Sequence, residues 1–171
     1  MRLLTALLCL ALTACGGNDD ESGDTNSEGT CMLRADVSGA VSIQFTGKND
    51  AVCLTQHSFD AGLQATFSGL DGQGTLELII DDVQEGQLGD DLVTQVDVTS
   101  ASRERWQSLL CRASITAHDL VEVEASEIGE LRHYQVAGAV TCPEPLPSLP
   151  TGDEPVTLDK LSFRAQFTWR D

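Results

Sequence analysis

The sequence predicts an all-β fold: an antiparallel β-sandwich of about seven to eight strands, with a closed antiparallel β-barrel as the alternative. Three observations carry this. Apolar residues recur with period two almost everywhere, turn residues interrupt the runs at short intervals, and no long segment shows helical spacing.

From Leu33 through Ala35, Val37, Gly39, Val41, Ile43 and Phe45, every odd residue is apolar or glycine, while the even positions are polar apart from Ala40. A single strand bent at Gly39 and a hairpin turning at Ser38-Gly39 both fit. The unbroken parity favours the bent strand. Leu63, Ala65 and Phe67 alternate before Asp71-Gly72, and Leu76, Leu78 and Ile80 alternate after it. A two-residue turn at Asp71-Gly72 sets Phe67 opposite Leu76, Ala65 opposite Leu78 and Leu63 opposite Ile80, so both apolar sets share one face. Asp81, Asp82, Glu85, Asp90 and Asp91 then form an acidic loop, after which Thr94, Val96 and Val98 mark one side of a strand over 92–99. Between Ser102 and Leu110 the parity weakens, which suits a short helical turn opened by Ser102.

Residues 111–117 and 134–142 pair if the chain reverses near Ser126-Glu127. That register places Cys111 directly opposite Cys142, within disulfide reach, and groups Ala113, Ile115 and Ala117 with Val140, Gly138 and Val136. Five prolines make 143–155 an extended loop, and Leu161, Phe163, Ala165, Phe167 and Trp169 define one side of a last strand.

The amino-terminal region carries an address. Arg2, the apolar stretch Leu3 to Leu12 and the small Thr13 and Ala14 form a secretory signal, too short to span a bilayer. Leu12-Thr13-Ala14-Cys15 resembles the lipobox of bacterial lipoproteins. The resemblance implies removal of residues 1–14, lipidation of Cys15 and attachment to the membrane through that lipid; with Gly16 rather than aspartate next, it implies the outer membrane. Residues 16–30 contain no apolar side chain and five acids, which suits a solvated tether roughly 20 Å in reach. Residues 31–171 remain as one all-β domain.

Six cysteines become four once Cys9 leaves with the signal and Cys15 takes the lipid. An even number in an exported chain reads as two disulfides. Pairing Cys111 with Cys142 leaves Cys31 for Cys53.

Lys plus Arg number 10 against 27 Asp plus Glu, a formal charge of −17, which opposes nucleic acid and anionic lipid surfaces. Candidate chemistry is sparse. The predicted register sets His118 and His133 on the outer face of one hairpin, and His57, Ser58 and Asp60 are neighbours only in sequence. The acidic loop is the place where calcium would bind, yet a solvated charged loop is the default. No cofactor is called for, and nothing argues for an enzyme. Arg103, Arg105, Trp106 and Arg112 gather cations and an aromatic residue as partner surfaces do, although Trp106 also suits the core. The sequence thus points to a membrane-anchored envelope lipoprotein acting as a noncatalytic binding or structural module with an envelope protein partner. A small apolar-ligand carrier with a barrel cavity is the alternative. A cavity lined by Leu63, Phe67, Phe163 and Phe167 supports the carrier; tight packing through them supports the module.

Overall fold

The computed structural model describes residues 31–48, 52–59, 62–126, 129–150 and 154–170. The signal, Cys15 and the tether lie outside the described residues.

Ten antiparallel strands account for about three quarters of the described chain: β1 (Met32–Gly39), β2 (Ile43–Lys48), β3 (Cys53–Phe59), β4 (Gly62–Ser68), β5 (Gly74–Asp81), β6 (Gly89–Ser100), β7 (Arg105–Ser126), β8 (Gly129–Thr141), β9 (Ser148–Leu149) and β10 (Val156–Arg170). They form one sheet in the order β2-β1-β10-β8-β7-β6-β5-β4-β3, with β9 attached to β7. The sheet curls into a half-barrel, so the all-β antiparallel class stands. The curl brings β3 against β10, where the Ser58 hydroxyl donates to the Thr168 carbonyl at 2.5 Å. The Cys31–Cys53 disulfide joins the start of β1 to β3 over a Cα separation of 6.0 Å. It therefore ties together two ends of the sheet that lie far apart in strand order.

Alternation explains the core. Leu33, Ala35 and Val37 of β1, Phe67 of β4, Leu76 and Leu78 of β5, Val96 and Val98 of β6, and Phe163, Ala165 and Phe167 of β10 all point inward and are buried. The Phe67 and Phe163 rings meet across the interior with centroids 6.4 Å apart, linking the wall around β4 to the wall around β10. Gly138 faces Phe163 across the β8–β10 pair, and a Cβ there would run into the Ser114 carbonyl and the Phe163 ring. The missing side chain makes room for the aromatic one.

The hairpin between β4 and β5 has the predicted register: Leu63 opposite Ile80, Ala65 opposite Leu78 and Phe67 opposite Leu76. Asp71 and Gly72 both have positive φ, 51° and 72°, and the Gln73 N–H donates to the Leu70 carbonyl. Those two residues make the mirror-image turn that matches the twist of paired strands.

Two expectations change. Residues 33–45 are not one bent strand but the β1–β2 hairpin, with Ala35 opposite Phe45 and Val37 opposite Ile43. In that register odd residues face odd residues, so the alternation is the same for a hairpin as for a straight strand and cannot separate the two. Nor is there a helical turn near Ser102. Ser100 to Arg103 form a reverse turn closed by the Arg103 N–H on the Ser100 carbonyl, and β7 starts at Arg105. The strand count exceeds the expected seven to eight for the same reasons: the first run is two strands, and the short β3 and β9 lack a long apolar alternation.

The proline-rich segment is mostly loop, as expected, but it folds back. Leu146 and Val156 exchange two backbone hydrogen bonds, and Ser148 and Leu149 pair with Trp106 and Arg105. This closes the interior at the Trp106 end.

Candidate functional site

Both predicted disulfides are present. Cys111 and Cys142 bridge β7 and β8 over a Cα separation of 4.2 Å, continuing the register in which Arg112 faces Thr141 and Ala113 faces Val140.

The cationic cluster is only partly a surface. Trp106 is 1% exposed and its indole N–H donates to the Glu154 carbonyl at 3.0 Å. It belongs to the core, because β7 alternation turns it inward beside Val98, and it cannot serve as the aromatic of a partner surface. The arginines stay outside. Arg105 reaches Asp97 at 3.3 Å, Arg112 reaches Asp91 at 3.5 Å, and Arg103 lies exposed in the turn before β7. Asp97 is itself buried and accepts further from Gln95 and Gln107, so Arg105 completes a satisfied carboxylate rather than offering a free cation.

The other end of the half-barrel holds a denser constellation. His118 of β7, Tyr134 of β8 and Trp169 of β10 stack around one another with ring centroids 4.9 to 5.2 Å apart. The loop between β5 and β6 folds over them. Its Gly86 N–H donates to Nε2 of His118 at 3.2 Å, which leaves Nδ1–H to donate to the Gln87 carbonyl at 2.9 Å. The loop is held a second time by Arg132, whose Nε and Nη2 donate to the two carboxylate oxygens of Glu85 at 2.5 and 3.0 Å. Burial pushes the His118 imidazole below its usual pKa, against the opposing pull of the Gln87 carbonyl and of Glu85 and Asp119. Burial and the neighbouring Glu85 carboxylate raise the Tyr134 phenol.

This corrects the outward placement of His118, which is 7% exposed. The β7–β8 register slips after Ile115, where Thr116 is inserted, and again after Leu120, where Val121 is inserted. Each bulge adds one residue to β7 and reverses the side that later residues face. The first turns His118 inward opposite Val136. His133 stays outside, with its Nδ1 2.9 Å from the Thr168 hydroxyl and its Nε2 3.8 Å from Glu124. The two histidines therefore do not share a face.

Beyond the loop, β7 continues as an arm along the outside of β8, which β10 still flanks as far as Arg170 opposite Leu131. The register sorts its side chains. Leu120 faces Tyr134 and Val123 faces Arg132, on the inner side; Glu122 faces His133 on the outer side, as Glu124 does through its contact with that ring. All four are exposed.

No family model, no curated protein and no solved structure matches this chain. What it does must be argued from its own geometry.

The remaining sequence candidates do not assemble. Among the described residues, those of the acidic loop from Asp81 to Asp91 included, no group of three or more His, Cys, Asp or Glu could hold a metal ion. Ser58 is hydrogen-bonded across the barrel seam, the His57 side chain is not described, and Asp60 lies outside the described residues. A groove of about 480 Å³ runs along the outside of β1 and β2 past Met32, Arg34, Asp36, Gln44 and Thr46. None of Leu63, Phe67, Phe163 and Phe167 lines it, so the groove is not the mouth of an interior cavity that a carrier needs.

Proposed function

We propose that this protein is a noncatalytic binding module of the bacterial envelope, held to a membrane, the outer one in a two-membrane cell, by lipid on Cys15. In this reading residues 16–30 are the tether and 31–171 present a rigid β scaffold to an envelope protein. The observation that carries the choice of module over carrier is the filled interior. Leu63, Phe67, Phe163 and Phe167 are each no more than 2% exposed. A void large enough for a ligand would register as accessible surface on the side chains lining it, and these four have almost none. The two disulfides support export to an oxidising compartment.

Intact-mass analysis of the membrane fraction tests the anchor. Loss of residues 1–14 with fatty acyl additions at Cys15 is expected, and Cys15→Ala should release an unlipidated chain. A full unmodified precursor in the soluble fraction overturns the proposal. Saturable uptake of an apolar dye at one site per chain, competed by fatty acids and abolished by Phe163→Trp, would restore the carrier.

A further inference from the structure

β7 runs on after its neighbour stops. β6 begins at Gly89 opposite Ile115, and from Ala117 to Ser126 the only strand paired with β7 among the described residues is β8. The other margin of β7 thus presents backbone N–H and C=O groups that no described strand takes up. The loop before β6 turns over the inner face to meet His118 and Arg132, and among the described residues no backbone hydrogen bond joins it to β7 past Ile115.

The side chains along this margin differ by face. Leu120 and Val123 on the inner side are 50% and 47% exposed, and Val121 in the bulge is 53% exposed. Asp119, Glu122 and Glu124 lie on the outer side and are exposed. An exposed strand margin usually carries lysine, proline or a short length that discourages pairing. This one carries three aliphatic residues and three acids.

We propose that the free margin of β7 from Ala117 to Ser126 takes an extended strand from a partner protein, in which apolar residues alternate with lysine or arginine. The inference rests on the binding-module reading and names the partner's chemistry. An added strand lies about 4.8 Å from β7, with side chains alternating between faces. Its apolar residues then cover Leu120 and Val123 while its cations face Asp119, Glu122 and Glu124. Charge chooses among occupants. A second copy of the arm would set these acids against themselves in a chain of net charge −17, and residues 16–30 of the same chain bring five more acids and no apolar side chain.

The test uses the full-length protein and three labelled ten-residue peptides: alternating Val and Lys, the same composition with Val and Lys in separate blocks, and alternating Val and Glu. The alternating Val/Lys peptide should bind at least tenfold tighter than either other peptide and slow amide exchange within 117–126. E122K/E124K should weaken that peptide at least tenfold and admit the Val/Glu peptide, with an unchanged thermal midpoint confirming the fold. Equal binding of the blocked and alternating Val/Lys peptides, or no effect of E122K/E124K, overturns the inference. So does a dimer of the unmutated protein that is broken by Val121→Pro. A photo-crosslinker at Val93, an exposed residue of β6 opposite Arg112, that captures an envelope protein, where one at Val121 captures none, sinks the strand-margin proposal and leaves the binding module standing.

Discussion

The β4–β5 hairpin keeps one register along its whole length, whereas β7–β8 changes register twice, between Ile115 and Glu122 on one strand and Gly138 and His133 on the other. Both are antiparallel pairs built from alternating residues. They differ in what surrounds them. β4 and β5 are flanked by β3 and β6, and all six alternating apolar residues are buried, so a slip of one position would turn every one of them toward water. Past Ile115, β7 has no described strand on one side and its side chains are exposed from Asp119 to Ala125. Neighbours on both sides hold the β4–β5 register; past Ile115, where β7 loses its pairing with β6, inserted residues are tolerated, and each one re-aims the side chains beyond it.

The contrast is sharpest in stability. Phe67→Ala removes a fully buried ring that meets Phe163, and should cost about 3–5 kcal/mol in urea unfolding. A loss below about 1 kcal/mol would mean that the interior is not packed as described, and the argument against a carrier would go with it.

Next in size is the Cys111–Cys142 bridge, which sits at the well-registered end of β7–β8. Replacing both cysteines with alanine should lower stability by about 2–4 kcal/mol, a value set by the loop that the bridge closes. Amide exchange separates two outcomes. If the bridge pins the pair, exchange should quicken near Ala113 and Ile115 while β4–β5 is unchanged; uniform quickening would show that the two hairpins unfold as one unit.

These two regions also mark what the sequence could disclose. Parity and the Asp71-Gly72 turn were enough to set β4–β5, and parity with the cysteine spacing set the disulfide end of β7–β8. The slip at Thr116 left no trace, because Ala117 is apolar and continues the odd alternation that a straight strand would show. The second slip did leave one: Leu120-Val121, like the outward-bulging Leu109-Leu110, is an apolar doublet in an otherwise alternating run. The inward His118 and its loop were hidden because they depend on that one-residue insertion and on Glu85 and Gly86, which lie far earlier in the chain. Trp106 was legible as core by its own bulk, but its neighbouring arginines gave the same local composition as a partner surface.

The bulged region should also respond to acid where β4–β5 does not. The His118 imidazole titrates near 6.5 when unfolded and lower when folded, so its contribution is complete above pH 6.5 and is lost as pH falls toward the folded value. Protonation puts a hydrogen on Nε2, which then cannot accept from Gly86. Glu85 and Asp119 soften the effect, since both favour the cation. The expected result is faster amide exchange over 84–88 on lowering pH from about 7 to about 5, after correction for intrinsic rates, and little change over 63–80. In His118→Gln the difference between those pH values should vanish from the loop.

The smallest expected effect is the most informative about purpose. Leu120 and Val123 are about half exposed and their strand has no described neighbour on one side, so L120S/V123S exposes little area that folding had hidden from water. Its unfolding free energy should stay within about 0.5 kcal/mol of the original, a small fraction of the Phe67→Ala loss. Residues that folding does not need, on a margin whose backbone groups no described strand takes up, are then left to serve contact with another chain. A loss above about 2 kcal/mol would place the arm inside the cooperative core, and the physical basis for reading its edge as a docking strand would be gone.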